Sequence, residues 1–492
     1  MTKRRIKPER NNQMVDPLQW AHEYLPSSEF TQLQKVLEEV QPLSIRINLL
    51  KANAKSDPAK WAATYHWDTA PIPFCPSGYW ISKAGTPPSK TFEHKLGYYY
   101  IQEAASMLPS ELFDLNGIEH PIILDMAASP GGKTIHLVDR SMDSGLVIAN
   151  DASKSRIPAL RIVLQNWGAI NQAITCLPGE AFGSVYPEMF DAVLLDAPCS
   201  MQGLRISTSH KMRPITENEI QTLAERQVRL LESALRAVKT GGQVVYATCT
   251  LSPMENENVI SKVLDKFRNM IELEDIQERL SSPAPTLAEF GVLRFNAEVS
   301  RAARLWPHIF GTAGFFSAKF IKKAPLNNSP RTPIRKNPPA KGRLLPEKEA
   351  LQMTEEISDR FGFNLEETIE RQGLLFYEQK GDYYLSPSQF DEVFISLPVL
   401  SKGMMIGKAM PRSWQMSHAF ASRFGDRFTE KIYPLNSEFL NAWRRGEDIR
   451  GISPSVGLTG EVVLVSDGTG NNLGRAKVLT DRLKNMLPTR LF

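Results

Sequence analysis

Two of the four cysteines in this 492-residue chain stand where apolar runs end. Cys199 is the last residue but one of 193–200, VLLDAPCS, three places after Asp196; Cys249 lies near the end of residues 241–251, GGQVVYATCTL. A thiol in such a place is a nucleophile, a metal ligand or a buried passenger. Cys75, Cys176, Cys199 and Cys249 are too far apart for a CxxC pair, so neither a disulfide framework nor a structural zinc site is expected, and no metal. One cysteine after a strand favours the passenger. Two at two strand ends, one beside a carboxylate, favour chemistry.

A second constellation precedes them. Residues 123–134, ILDMAASPGGKT, read as a strand entering a Gly-rich loop and then a helix. Loop N–H groups and a helix N-terminus at such a place face a ligand. The loop is neither GxxxxGK[ST] nor GxGxxG, so a nucleoside triphosphate or a dinucleotide is not implied. Asp151 ends the next apolar run, VIAND, where an acid can accept the two hydroxyls of a ribose; the alternative is a cap on the following helix. Loop and acid together point to an adenosyl ligand, with S-adenosylmethionine the leading candidate.

A methyl donor beside two sulfurs suggests one reaction. Carbon-5 of cytosine is too weakly nucleophilic to take a methyl group unaided. A thiolate adding to carbon-6 makes the ring an enamine, and removal of the carbon-5 proton later releases the thiol. Such a site needs a thiolate, a hydrogen-bonding group at the polar edge of the base, and help with release. Cys249, Asp196 and Cys199 are the groups available.

The elements that would hold these residues form a recognisable series. Short β-type runs recur at 121–127, 145–151, 172–177, 191–198 and 241–251, with helical stretches between most of them. Near-continuous apolar runs indicate strands covered on both faces, hence an α/β, doubly wound, mostly parallel sheet. Both cysteines then fall on one rim, on strands about 4.8 Å apart if adjacent. The helix after 216 should start at a Thr cap and end at Gly241–Gly242, and 304–321 should form two strands about a Gly-containing turn.

Before this region, 16–50 reads as helix then extended chain, and the aromatic, proline-rich 71–81 as a compact irregular module. Residues 322–343 carry seven basic residues, five prolines and no acid, the composition of a linker and of a brush for RNA or phosphate; a plain tether is the other reading. Beyond it come a helical stretch around 346–372, short strands including 403–410, and a hairpin with the turn SDGTGNN running into a basic tail. The expected domains are 1–120, 121–323, a linker at 324–345, and 346–492.

Hydrophobic content of 42% with 23% charged residues is that of a globular protein, and a formal charge of +4 is compatible with a polyanionic partner without requiring one. The basic first ten residues lead into no apolar segment and no run approaches the roughly 20 residues of a bilayer span, so a cytoplasmic protein with reduced thiols and no membrane contact is expected.

With these residues assembled, the chain closely resembles the Sun-type RNA (cytosine-5)-methyltransferases. LDMAASPGGKT, DAPCS and TCTLSPMENE match three signature blocks in order, and YYYIQEAASML (98–108) matches the segment before the catalytic domain. The C-terminal LGRAKVLTDRLKNMLP resembles the PUA-like tail of the RsmF branch, which modifies 16S ribosomal RNA. The likeness covers nearly the whole chain.

The resemblance implies a class I S-adenosylmethionine-dependent methyltransferase with an N-terminal RNA-binding module and a C-terminal PUA-like β-rich domain; a monomer is expected. It implies that Ala127, Ala128, Ser129, Pro130, Gly131, Gly132 and Lys133 embrace S-adenosylmethionine, that Asp151 holds its ribose, and that Asp196 lies between cofactor and base. Cys249 would be the nucleophile, Cys199 would assist product release, and Pro198 would shape its turn. Glu255-Asn256-Glu257 would start a helix that positions the thiol loop, and Arg46 and Asn48 match an RxN element of the N-terminal module. Two positions depart from the family pattern: Pro178-Gly179 replaces an Asp-Gly, and Met201 replaces the glycine after DAPCS, with LRISTSHKMR following.

Small-subunit ribosomal RNA is the expected substrate. A tRNA cytosine is the rival within the same chemistry. A ribosome-assembly factor with a degenerate methyltransferase domain is the rival outside it, opposed by the intact thiols, acids and Gly-rich loop.

Overall fold

A computed structural model of the chain describes residues 14–15, 18–51, 58–203, 214–326, 342–394, 397–410, 413–452 and 456–488. The strands and helices that position the candidate residues are, in chain order, β1 (Ile122–Asp125), α1 (Gly132–Arg140), β2 (Leu146–Asn150), α2 (Ile157–Trp167), β3 (Gln172–Thr175) and β4 (Phe190–Asp196). They continue with α3 (Glu217–Ala237), β5 (Val238–Thr248), α4 (Glu257–Lys266), β6 (Ile271–Glu274), β7 (Ala303–Leu305), β8 (Phe315–Lys322) and β9 (Val399–Lys402). The chain divides into two compact units, one of residues 1–42, 103–113 and 179–333, the other of 43–102, 114–178 and 334–492.

In the first unit β4 runs parallel to β5, placing Asp196 opposite Ala247. Strand β8 is antiparallel to β5, and β7 and β6 are both antiparallel to β8. The side chains from Ala192 to Leu195 are fully buried, as expected for a strand covered on both faces. Helix α3 starts where expected, with the Thr216 hydroxyl accepting from the Glu219 N–H at 3.2 Å. It ends earlier than expected, at Ala237. Gly241 and Gly242 belong to β5, in a register shift of the β4–β5 pair that lies between Val238 and Gln243. Gly241 has φ +86°, and a Cβ on Gly242 would come within 2.8 Å of the Asp191 carbonyl, so the glycines serve a bulge. The expected hairpin is present in β7 and β8, with a helical turn, Pro307–Phe310, in place of a simple reversal.

The basic residues opening the presumed linker are structural. Lys322 donates to the Val238 carbonyl at 2.8 Å and pairs with Glu188, and Lys323 pairs with Glu272 at 2.7 Å. Residues 327–341 of that linker lie outside the described residues.

In the second unit β1, β2 and β3 are parallel, linked through α1 and α2. Parallel neighbours need such crossovers, and every residue of the three strands is buried. Helix α2 stops at Gly168 in the left-handed region (φ 82°), freeing the chain to turn into β3. Strand β9, from the last third of the chain, pairs antiparallel with β3.

The stretch at 71–81 is more regular than its composition suggests. Strands Trp67–Ile72 and Cys75–Ala84 pair, and with Leu43–Ile47 and Tyr99–Ile101 make a four-stranded antiparallel sheet. Pro71 is tolerated because its strand is at the sheet edge, where a missing N–H breaks no ladder. Nearer the C-terminus come helices Glu347–Phe361 and Glu366–Gln372 and two five-stranded sheets. The SDGTGNN turn joins Val462–Ser466 to Asn472–Val478, with Asp467 accepting from the N–H groups of Thr469 and Asn471 at 2.9 Å each. The expected basic tail is partly a strand, Arg482–Asn485, because Leu483 is buried in the core of that module.

Candidate active site

The two thiols meet. The sulfurs of Cys199 and Cys249 lie 3.4 Å apart, and all four cysteines are free. Their environments differ. Sharing a hydrogen bond with Cys249, together with burial, holds the Cys199 thiol well above its ordinary value. Cys199 therefore keeps its proton. Asp196 ends β4, on the strand next to the one from which Cys249 emerges.

The spacing of the pair is set by main chain. The Gly203 N–H donates to the Cys249 carbonyl at 3.0 Å, and the Gly314 N–H donates to the Gly203 carbonyl at 2.7 Å. A Cβ on Gly203 would lie 2.3 Å from the Gly314 oxygen, so position 203 admits no side chain. Met201 has φ 61°, which explains why glycine is usual there, and its N–H donates to the Cys199 sulfur. Residues 204–213, the whole of the LRISTSHKMR stretch, lie outside the described residues.

Beneath the pair sits a buried carboxylate that sequence reasoning treated only as part of a helix start. Glu255 accepts from the Ser200 N–H at 2.9 Å, from the Ser200 hydroxyl, and from the Gln227 amide at 3.0 Å. Gln227 also donates to the Pro198 carbonyl at 2.9 Å, and the Tyr246 hydroxyl donates to the Glu255 carbonyl at 2.6 Å. Burial holds the Glu255 carboxyl above its ordinary value despite these donors. One residue of the TCTLSPMENE block thus anchors the loop carrying Cys199. Its neighbour Glu257 forms a buried pair with Arg304, which also donates to the Leu251 carbonyl. Asn256 accepts from Thr248 at 2.6 Å and donates to Thr250 at 2.9 Å, on either side of Cys249. The reading of this block as a positioning element therefore holds, although helix α4 itself begins only at Glu257. Gln227 and Arg304 were missed. The signal for Gln227 was a polar residue on the apolar face of α3, level with buried Leu230, Leu231 and Ala224.

The Gly-rich loop and its acid are a second assembled group. Asp151 leaves β2 almost fully buried, and its carboxylate accepts from the Ser129 N–H at 3.2 Å and the Ser153 N–H at 2.9 Å. Arg156 pairs with it at 3.3 Å. It does not cap α2, whose N-cap is Arg156, so the alternative reading of Asp151 falls away. Ala128 donates from its N–H to the Asn150 carbonyl at 2.7 Å, and Thr134 donates to Asp125 at 2.6 Å. Gly131, at φ 117°, turns the loop into α1, and a Cβ on Gly132 would lie 2.8 Å from the Tyr100 ring. Within the stretch from Ala127 to Lys133, which includes Pro130, the Ser129 N–H ties the loop to Asp151 and the Ala128 N–H ties it to the end of β2.

Arg46 and Asn48 have another role than contact with a ligand. Both are fully buried. Arg46 pairs with Asp139, donates to Gln102 at 3.2 Å, and lies 4.7 Å over the Trp167 ring. The Trp167 indole donates to Asp139 at 2.9 Å, and Asn48 donates to the Gly97 and Trp167 carbonyls. Burial pushes the Asp139 carboxyl up to about 6 against the pull of Arg46. The RxN element is structural.

Known proteins resemble the chain over most of its length. The family described as 16S rRNA methyltransferase RsmB/F matches residues 113–321, and the N-terminal domain of 16S rRNA methyltransferase RsmF matches 18–104. The ribosomal RNA small subunit methyltransferase F of Aeromonas salmonicida is 33% identical over 91% of this chain and 90% of its own. Its counterpart from Vibrio parahaemolyticus is 31% identical, covering 91% of each. Among solved structures, a methyltransferase homologue from Pyrococcus horikoshii is 33% identical with a TM-score of 0.53, over 61% of this chain and 92% of its own.

Proposed function

Because the chain belongs to the RsmB/F family of 16S rRNA methyltransferases, with a class I methyltransferase fold, we propose that it methylates carbon-5 of a cytosine in 16S ribosomal RNA. S-adenosyl-L-methionine is the methyl donor. The observation that carries the reading of the site is the 3.4 Å contact of two thiols, of which Cys199 is held well above its ordinary value.

The residues present fit the donor. A carboxylate offers about four lone-pair sites, and Asp151 engages Ser129, Ser153 and Arg156, which leaves acceptor capacity for a ribose hydroxyl. Ala127 to Lys133 supply the turn and the helix N-terminus against which the rest of the molecule rests. When bound, S-adenosylmethionine supplies a methyl group on a positively charged sulfur.

Cys249 adds to carbon-6 as the thiolate, and carbon-5 becomes nucleophilic. Asp196 accepts from the amino edge of the base and holds it in place. While Cys249 attacks, Cys199 keeps its proton. Once the Cys249 sulfur is bonded to carbon-6, it no longer shares a proton with Cys199, and the main cause of the raised Cys199 value is gone. Cys199 then gives up its proton to solvent, and as the thiolate it takes the proton from carbon-5 of the methylated base. The electron pair left behind re-forms the carbon-5 to carbon-6 double bond, the sulfur–carbon bond breaks, and Cys249 returns as thiolate.

We read the last 147 residues, 346–492, as the PUA-like RNA-holding module, and the protein as a monomer acting in the cytoplasm, where its RNA is. Among the described residues no helix is long and apolar enough to cross a membrane. The test uses labelled S-adenosylmethionine and small-subunit RNA on a denaturing gel. Cys199→Ala should accumulate a covalent protein–RNA adduct, and a further Cys249→Ala should abolish it. An adduct that survives loss of Cys249 overturns the assignment.

A further inference from the structure

A cavity of about 340 Å³ lies in the second unit, walled by α2, β3, β9 and the strands Leu374–Gln379 and Asp382–Pro387. Small-ligand sites begin at about 300 Å³, so one nucleotide-sized group fits. Four of the polar side chains lining it each carry a buried atom without a hydrogen-bond partner: Arg161 Nε, Gln172 Oε1, Ser386 Oγ and Ser401 Oγ. Gln172 is 4% exposed and Ser386 0%, so bulk water does not serve them. Each unmet buried group costs about 1–3 kcal/mol, and four around one space call for an occupant with matching donors and acceptors.

The charges narrow its chemistry. Lys402 is held by both oxygens of Asp391 at 2.8 Å and lies 3.7 Å over the Tyr377 ring. Arg161, whose Nε is buried without a hydrogen-bond partner, is the other cation of the lining. A guanidinium is suited to the oxygens of a phosphate. An amide carbonyl and two hydroxyls read the edge of a base, and Tyr384, also in the lining, is a ring of the kind on which bases stack.

We infer that this cavity holds one unpaired nucleotide of the RNA substrate, with its phosphate on Arg161 and its base edge on Gln172, Ser386 and Ser401. The inference rests on the reading that the substrate is RNA. The cavity is an anchoring site and takes no part in methyl transfer.

The full-length protein is titrated with a single-stranded small-subunit RNA fragment by fluorescence anisotropy over a range of salt, as wild type, Arg161→Ala and Arg161→Lys. Arg161→Ala should weaken binding about tenfold and lower the slope of log affinity against log salt by about 0.7, the loss of one phosphate contact on a single strand. Arg161→Lys should recover part of both, and KM for RNA should rise in Arg161→Ala with kcat unchanged. If Arg161→Ala lowers Tm, Ser401→Leu, which fills the cavity, must weaken RNA binding at wild-type Tm. Unchanged affinity and slope in a folded variant overturn the inference. So does cytidine or adenosine monophosphate binding to wild type in equilibrium dialysis without displacement by the RNA, which would make the occupant a free nucleotide. Arg161-dependent RNA binding in a protein that transfers no methyl group would uphold this site and sink the proposed reaction instead.

Discussion

The Cys199–Cys249 pair and the Arg46–Asp139–Trp167 cluster are both polar groups enclosed in apolar surroundings, and they are built on opposite plans. In the cluster the cation, the acid and the indole all have strong partners: Arg46 has Asp139 and Gln102, Asp139 has Arg46 and Trp167, and Asn48 reaches two carbonyls. Nothing there is left to act on another molecule. In the thiol pair the Cys199 sulfur is held well above its ordinary value against a second sulfur, while the acid beside them is tied to Ser200 and Gln227. Completeness marks the structural cluster and asymmetry marks the chemical one.

That contrast can be tested in descending order of effect. Cys249→Ala should lower methyl transfer by about 10⁴-fold or more with Tm little changed, measured by labelled-methyl incorporation and calorimetry; substantial residual turnover would break the comparison at its stronger end. Arg46→Met should do the reverse. Leaving Asp139 buried without its cation should cost about 3–5 kcal/mol of stability, read by denaturant titration, with the rate per folded molecule preserved. Glu255→Gln lies between them. The amide keeps the shape and turns an NH₂ toward donors, so kcat should fall roughly 10- to 100-fold with about 1–2 kcal/mol of stability lost; a loss of stability alone would move Glu255 into the structural class.

The smallest effect concerns Lys51, next to the Arg46 cluster. Its ammonium donates to the Leu96 and Asn166 carbonyls and the Ser422 hydroxyl, and burial pushes it down to about 7 from 10.5. Between those values the unfolded chain binds more protons than the folded one, so this residue's contribution to stability rises with pH across that window. Wild type should therefore gain stability relative to Lys51→Met as pH rises from 7 to 10, measured by urea unfolding at each pH. A gap that narrows as pH rises would show that Lys51 stays charged in the fold.

The strands of the catalytic region were legible because a strand covered on both faces must be apolar throughout, and each of the five runs contains one, from Ile122 to Thr248. The thiols were legible because a strand end is a fixed address. What sequence alone misplaced was decided by contacts across long separations. Gly241 and Gly242 look like a helix stop until the bulge in β5 is seen. Lys322 looks like linker until Glu188 and Val238 are beside it. Arg46 looks available for RNA until Asp139, 93 residues away, is found against it. Gln227 and Glu255, 28 residues apart, become one device only when α3 is laid beside the Cys199 loop.

The close approach of Gly203 to the backbone at Gly314 and Cys249 has a consequence for how variants of this site are to be interpreted. Because peptide groups hold the two loops together, exchanging either sulfur for oxygen or hydrogen removes a reactive atom without releasing the frame that carried it. Rate differences among Cys249→Ser, Cys249→Ala and Cys199→Ala are then differences at the sulfurs themselves. The scaffold works as a fixed ruler, and the chemistry can be graded along it one atom at a time.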